Sequence, residues 1–180
     1  MRLYDVVWNE NYVAKIAEKH RVTTDEVEQV LFSKPHVRRI QKGKVRGEHL
    51  YVAYGQTAAG RYLVVFFIRK LRAAALPFSA RDVSRRSEIT SMSKKKRIEP
   101  IPEEFSSYAE AADFWDTHDT MDYPGAFRTV RMVGKLRSRH YEIAIDADVL
   151  KALKARAHRT GTSLGHLASK ILRQQLRSPI

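Results

Sequence analysis

Not one cysteine occurs in the 180 residues. That excludes a disulfide framework, a thiol nucleophile and any zinc site built on Cys. Long apolar runs are missing as well. The longest, Tyr62 to Ile68, falls far short of the roughly 20 residues that a membrane helix needs. Near the N-terminus, Asp5 and Glu10 stand where a signal peptide has its apolar stretch. These absences predict a soluble, cytoplasmic protein with no membrane partner; no metal site and no cofactor are expected either. A third absence is local: residues 98–127 contain no Lys or Arg, yet hold eight acids. On either side the balance reverses, with 17 basic against 9 acidic side chains in 1–90 and 12 against 3 in 128–180. The net charge is +13 and the pI about 10.1, which makes nucleic acid the first partner class to consider.

The polar run Thr90 to Arg97, with Pro100 and Pro102 after it, predicts a linker over 91–104. It divides a first block, 1–90, from an acidic segment, 105–127, and a basic last block, 128–180. Acids alone would make 105–127 a solvated face. Phe105, Tyr108, Phe114, Trp115, Tyr123 and Phe127 are too many aromatics for that, and predict a segment that packs on a basic surface. Tyr108, Phe114, Trp115, Asp116 and Tyr123 are the residues expected to make the contact.

The first block reads as α+β. Leu3–Trp8 is a strand, Asn11–Lys19 a helix, and Thr23-x-x-Glu26 a capping box opening a second helix that Pro35 stops. Strands follow at His36–Gln41, Leu50–Tyr54, Tyr62–Arg69 and Ala74–Ser79, with a hairpin turn at Gln56–Gly60. Ser79-x-x-Asp82 predicts the N-terminus of a short closing helix. The sheet is expected to be antiparallel.

Five pieces in order, Trp8-Asn-Glu10, Lys19-His20-Arg-Val22 with Glu26, Arg46-Gly-Glu48, Gly60-Arg-Tyr-Leu-Val-Val65 and Ser79-Ala-Arg-Asp82, resemble the BrnT-type toxins. These are RelE-like ribonucleases of type II toxin–antitoxin systems. The resemblance implies metal-independent RNA cleavage, in which the ribose 2′-OH attacks the neighbouring phosphate. Such chemistry needs a base, cations for the charge developing on phosphorus, and a donor for the leaving oxygen. Glu26 or His20 is the candidate base, Arg69 and Arg81 the candidate phosphate holders, and Tyr51 a stacking or donor group. Blander roles stand beside these: His20 at a helix C-terminus favours a cation there, and Glu26 belongs to its capping box.

In the acidic segment, Tyr108, Ala111, Ala112 and Trp115 share one helical face. Further on, Tyr141–Ile145 alternates as a strand, Asp146 and Asp148 cap a helix carrying Val149, Leu150, Leu153 and Ala157, and Gly161-Thr-Ser163 leads into a last helix with Leu164, Leu167, Ile171 and Leu172. One strand and two helices bury too little by themselves, so a homodimer through 138–177 is expected. This pattern resembles the ribbon-helix-helix (CopG/Arc-like) fold, and 92–177, with Glu110 to His118, resembles the CopG-family antitoxins encoded beside BrnT-type toxins. Met92 stands where a second reading frame would open. The resemblance implies operator DNA as a partner, with Arg137, Arg139, His140, Glu142, Thr162 and Ser163 as candidate contacts. The sequence thus reads as a toxin fused to its antitoxin, with RNA, DNA and a second copy as partners. The alternative is a catalytically inactive toxin-like domain within a dimeric DNA-binding regulator.

Overall fold

The computed structural model describes residues 1–42, 47–83, 99–123 and 125–177. It divides into two compact units, Met1–Glu142 and Ile143–Ile180. Among the described residues there are seven strands and five α-helices, in keeping with the expected mixed α+β class. No helix among them is long and apolar enough to cross a membrane.

The larger unit is one seven-strand sheet: β1 (Arg2–Asn9), β2 (His36–Lys42), β3 (His49–Gln56), β4 (Tyr62–Lys70), β5 (Ala74–Asp82), β6 (Arg128–Val130) and β7 (Val133–Glu142). Their spatial order is β6-β2-β3-β4-β5-β1-β7. The apolar run of β4 lies in the middle, where both faces of a strand are covered, and Leu63 to Ile68 are all buried. β3 and β4 form a hairpin closed by Thr57 and Gly60, the glycine at φ +88° where a side chain would be strained. The sheet is not wholly antiparallel as expected: β1 runs parallel to both β5 and β7.

Two helices of the first block are α1 (Glu10–His20) and α2 (Thr24–Phe32). The Thr23–Glu26 capping box is present in both directions. Val27, Val30 and Leu31 of α2 pack on one face of the sheet with Tyr51, Val65 and Phe67. The other face presents Val52, Val64, Phe66 and Phe78, and is covered by α3 (Tyr108–Thr117) through Ala111, Ala112 and Trp115. Ser107 opens α3, its side chain accepting from the Glu110 amide.

Two expectations are corrected. Ser79–Asp82 is not a helix start but the end of β5, with Ser79, Ala80, Arg81 and Asp82 opposite Phe66, Val65, Val64 and Leu63. Pairing with the most buried strand outweighs a local capping pattern. Phe78 is the extra residue of a bulge beside Pro77, which has no N–H for a ladder. The remainder of the predicted closing helix, and the first part of the linker, lie outside the described residues. The strand placed at Tyr141–Ile145 instead ends at Glu142, opposite Asn9. There β1 gives way to α1, so residue 143 has no strand left to pair with.

The smaller unit holds α4 (Ala147–Thr160) and α5 (Leu164–Arg177). Gly161 at φ +61° closes α4, and Ser163 accepts from the His166 amide at the start of α5. Asp146 stands at the cap of α4 without a side-chain capping bond; its carbonyl accepts from Leu150. Ala157 and Leu167 are buried, whereas Ile143, Ile145, Val149, Leu172 and Leu176 remain exposed.

Candidate active site beneath an acidic helix

The strip of sheet under α3 carries the residues of most chemical interest. Ser79 and Arg81 are two apart on β5 and point to the same face, the one that holds Val64 and Phe66. His20, with Lys15 and Lys19, comes from α1. All of them meet one stretch of α3 and the residues just after it.

Asp116 is the centre of that meeting, its side chain wholly buried. Ser79 Oγ donates to Asp116 Oδ1 at 2.6 Å and His20 Nε2 lies 3.2 Å from the same oxygen. Lys19 Nζ reaches Oδ2 at 2.7 Å and Lys15 Nζ at 3.1 Å; Lys15 also donates to Asp113 at 2.8 Å. Burial pushes the Asp116 carboxyl up. The bonds from His20, Lys19, Ser79 and Lys15 together outweigh it and hold the group well below the usual carboxylate range. Next along, Arg81 Nη2 donates to the His118 carbonyl at 3.0 Å, and Tyr54 OH donates to Thr120 Oγ1 at 2.6 Å.

Packing fixes the cover in place. Trp115 is fully buried, stacked on Phe66 with ring centroids 5.2 Å apart and edge-on to Phe114 and Tyr123. Phe114 is only partly buried and stacks on His118. Tyr123 OH donates to the Glu99 carbonyl at 2.6 Å. At the start of α3, Tyr108 OH donates to Glu48 at 2.8 Å, while Lys70 Nζ reaches Glu48 at 3.0 Å and lies over the Tyr108 ring. Burial, and Glu48 beside it, raise the Tyr108 hydroxyl above its ordinary value.

Of the five sequence-based catalytic candidates, His20 and Arg81 share this strip. Tyr51 and Arg69 face the other side of the sheet, where Tyr51 stacks on Phe67 and Arg69 donates to the Gly47 carbonyl. Glu26 is held by Thr23 and by Arg61, 2.7 Å away; although burial raises its carboxyl, these bonds lower it below the ordinary value. Arg46 of the Arg-Gly-Glu motif lies outside the described residues. Sequence reasoning missed Lys15, Lys19 and Ser79. Their signal was the spacing of Lys15 and Lys19, one turn apart, against Asp113 and Asp116, three apart on α3.

The DNA-contact candidates fall into two groups. Arg137, Arg139, His140 and Glu142 are on β7 in the larger unit. Arg139 grips buried Glu28 of α2 with bonds of 2.7–3.0 Å, and Glu28 also accepts from Trp8 Nε1. The Arg137 guanidinium lies 4.1 Å over the Tyr4 ring, and Glu142 accepts from Asn9. Thr162 and Ser163 form the turn between α4 and α5 in the smaller unit, Thr162 bonded to Thr160.

No curated protein matches the chain. Residues 99–175 match the family model of the CopG antitoxin of type II toxin-antitoxin systems. That stretch begins ahead of α3 and takes in Asp116, Trp115 and the two edge strands β6 and β7. The helix that closes over His20 and Arg81 is therefore part of a CopG antitoxin domain of a type II toxin–antitoxin system, carried by this chain at residues 99–175.

Proposed function

We propose that the chain is a toxin and its antitoxin in one polypeptide. In this reading residues 1–90 are a RelE-like, BrnT-type ribonuclease that needs no metal. Residues 105–127 neutralise it, and 128–180 form a ribbon-helix-helix module that dimerises and binds operator DNA. One observation carries the reading: α3, from within the antitoxin-matched stretch, lies on the strip that holds His20 and Arg81, and does so with a buried acid and a buried tryptophan. Opposite charge adds to it, since the matched region begins with eight acids and the first block is strongly basic. Exposure of Val149 (46%), Leu172 (51%) and Leu176 (84%) on α4 and α5 supports a dimer, because such side chains on a helix pair ask for a cover.

The test compares RNA cleavage by the intact chain, by its Phe114→Ala/Trp115→Ala variant and by residues 1–91. The intact chain should be nearly silent and the other two active, without metal. Arg81→Ala in the released background should cost a factor of about 10²–10³, as for other donors that stabilise developing charge. A second reading has its own support: Glu26, Tyr51 and Arg69 stand apart from His20 and Arg81, which favours a binding module without catalysis. Released protein that is folded and binds RNA but leaves it intact would favour that alternative.

A further inference from the structure

We infer that Lys15, Lys19, His20 and Ser79 form a binding site for one phosphodiester of an RNA backbone, and that in the intact chain the Asp116 carboxylate sits in that phosphate's place. The inference rests on the reading of the first block as an RNA-acting domain, and names the groups that hold the RNA.

The first argument is convergence. Four donors from α1 and β5 meet at one carboxylate, two on each oxygen: His20 and Ser79 on Oδ1, Lys15 and Lys19 on Oδ2. A carboxylate and a phosphodiester present the same face to such donors, two accepting oxygens sharing one negative charge. The second argument is missing counter-charge. Among the described residues, the acid partners of Lys15, Lys19 and His20 are Asp113 and Asp116, both on α3. The first block thus gathers these cationic and donor groups without supplying an acid of its own to them. Like charges held together repel unless an anion joins them. Lys19 and His20 also occupy the last turn of α1, whose dipole favours cations and steadies them there. Third, Ser79 is almost fully buried on a sheet strand and fixed by ladder pairing, so its hydroxyl is in place before any ligand arrives. Arg81, two residues on and on the same face, extends the donors along one line, which fits a polymer backbone rather than a lone ion.

Full-length Asp116→Ala tests this, because Trp115 still seats α3 while the carboxylate is gone. Its melting temperature should fall, and inorganic phosphate at about one hundred times its Kd should raise it again by about 5–11 °C, where chloride at equal ionic strength does not. The unaltered chain should not respond. Adding Lys19→Ala and His20→Ala should remove the phosphate response. If Asp116→Ala is unfolded in dilute buffer, phosphate-driven refolding followed by tryptophan fluorescence reads the same site, and Asp116→Ser serves as a second variant. No phosphate response in either variant, or rescue by acetate but not by phosphate, overturns the inference.

A second arm separates free phosphate from a backbone. An uncleavable 2′-O-methyl RNA oligonucleotide should bind Phe114→Ala/Trp115→Ala/Asp116→Ala at least about tenfold tighter than the intact chain, and Lys19→Ala should lower the salt slope by about 1. Phosphate rescue without oligonucleotide binding overturns the assignment to RNA. Because neither arm reads cleavage, an inactive enzyme would defeat the ribonuclease reading and leave this site standing.

Discussion

The indole of Trp115 lies flat on the ring of Phe66, the planes 18° apart, and so joins the acidic helix to the central strand of the sheet. Both side chains are fully buried. Trp115→Ala should therefore destabilise the larger unit by about 3–5 kcal/mol, the usual range for emptying an aromatic core site. The indole Nε1 has no acceptor among the described residues, so the stabilisation is packing rather than hydrogen bonding. Trp115→Phe should accordingly cost much less than Trp115→Ala. Urea denaturation decides it; equal losses for the two would show that the indole N–H matters after all.

Asp116 sets a pH dependence. Its folded carboxyl is held below its unfolded value by His20, Lys19, Ser79 and Lys15. Its contribution is then complete above the ordinary carboxylate range, and is lost as the pH drops through that range and below it. Asp116→Asn should flatten the acid limb of the stability curve between about pH 5 and pH 3. A variant curve parallel to the original would mean that other carboxylates, such as Glu26, carry the acid sensitivity.

At the other end of α3, Tyr108→Phe removes a hydroxyl that donates to Glu48 and accepts from Lys70. The expected loss is about 1.5 kcal/mol, the low end of the range for a bond to a charged group because this one is only part-buried. The Lys70–Glu48 pair, 3.0 Å apart, should survive it. A double-mutant cycle with Glu48→Gln would show coupling between Tyr108 and Glu48; additive losses would deny it.

Glu28 should hold β7 through Arg139. Glu28→Gln keeps the shape of the side chain and loses its charge. Amide hydrogen exchange ought to quicken at Ser138 to Glu142 while β3 and β4 stay protected. Unchanged exchange at β7 would assign its hold to the β1 ladder alone.

The proposed dimer predicts that Ile143→Asp combined with Leu172→Asp yields monomers by sedimentation at micromolar concentration, with the larger unit still folded by circular dichroism. Monomers in the unaltered protein would end that part of the proposal.

Much of the fold could be read from local pattern. The apolar run of β4, the Thr23–Glu26 capping box and the Gln56–Gly60 turn each depend on neighbours in sequence, and each stands where expected. What failed depended on distant partners. Ser79-x-x-Asp82 satisfies the rule for a helix start, and nothing local reveals that Phe66 to Leu63 wait to pair with it. Tyr141, Ile143 and Ile145 alternate as a strand should, but the ladder stops where β1 runs out at Asn9. The site was legible only in part for the same reason. His20 and Arg81 stood out as single residues, whereas Lys19 gains its meaning from Asp116, 97 positions away.

β6 and β7 take the two outermost places in the sheet, beside β2 and β1. A ribosome builds the chain from its N-terminus, so β1 to β5 emerge before either neighbour exists. About 60 residues lie between Asp82 and Glu142, and at about 5–20 residues per second they take roughly 3–12 s to appear. During that interval the nascent chain carries two raw strand edges and a bare Phe66 and Phe78, which are the features that recruit unwanted strands. Translation speed through 83–142, slowed or hastened by codon choice, thereby becomes a determinant of aggregation. Once synthesis ends the arithmetic is fixed at one cover per sheet, whatever the expression level.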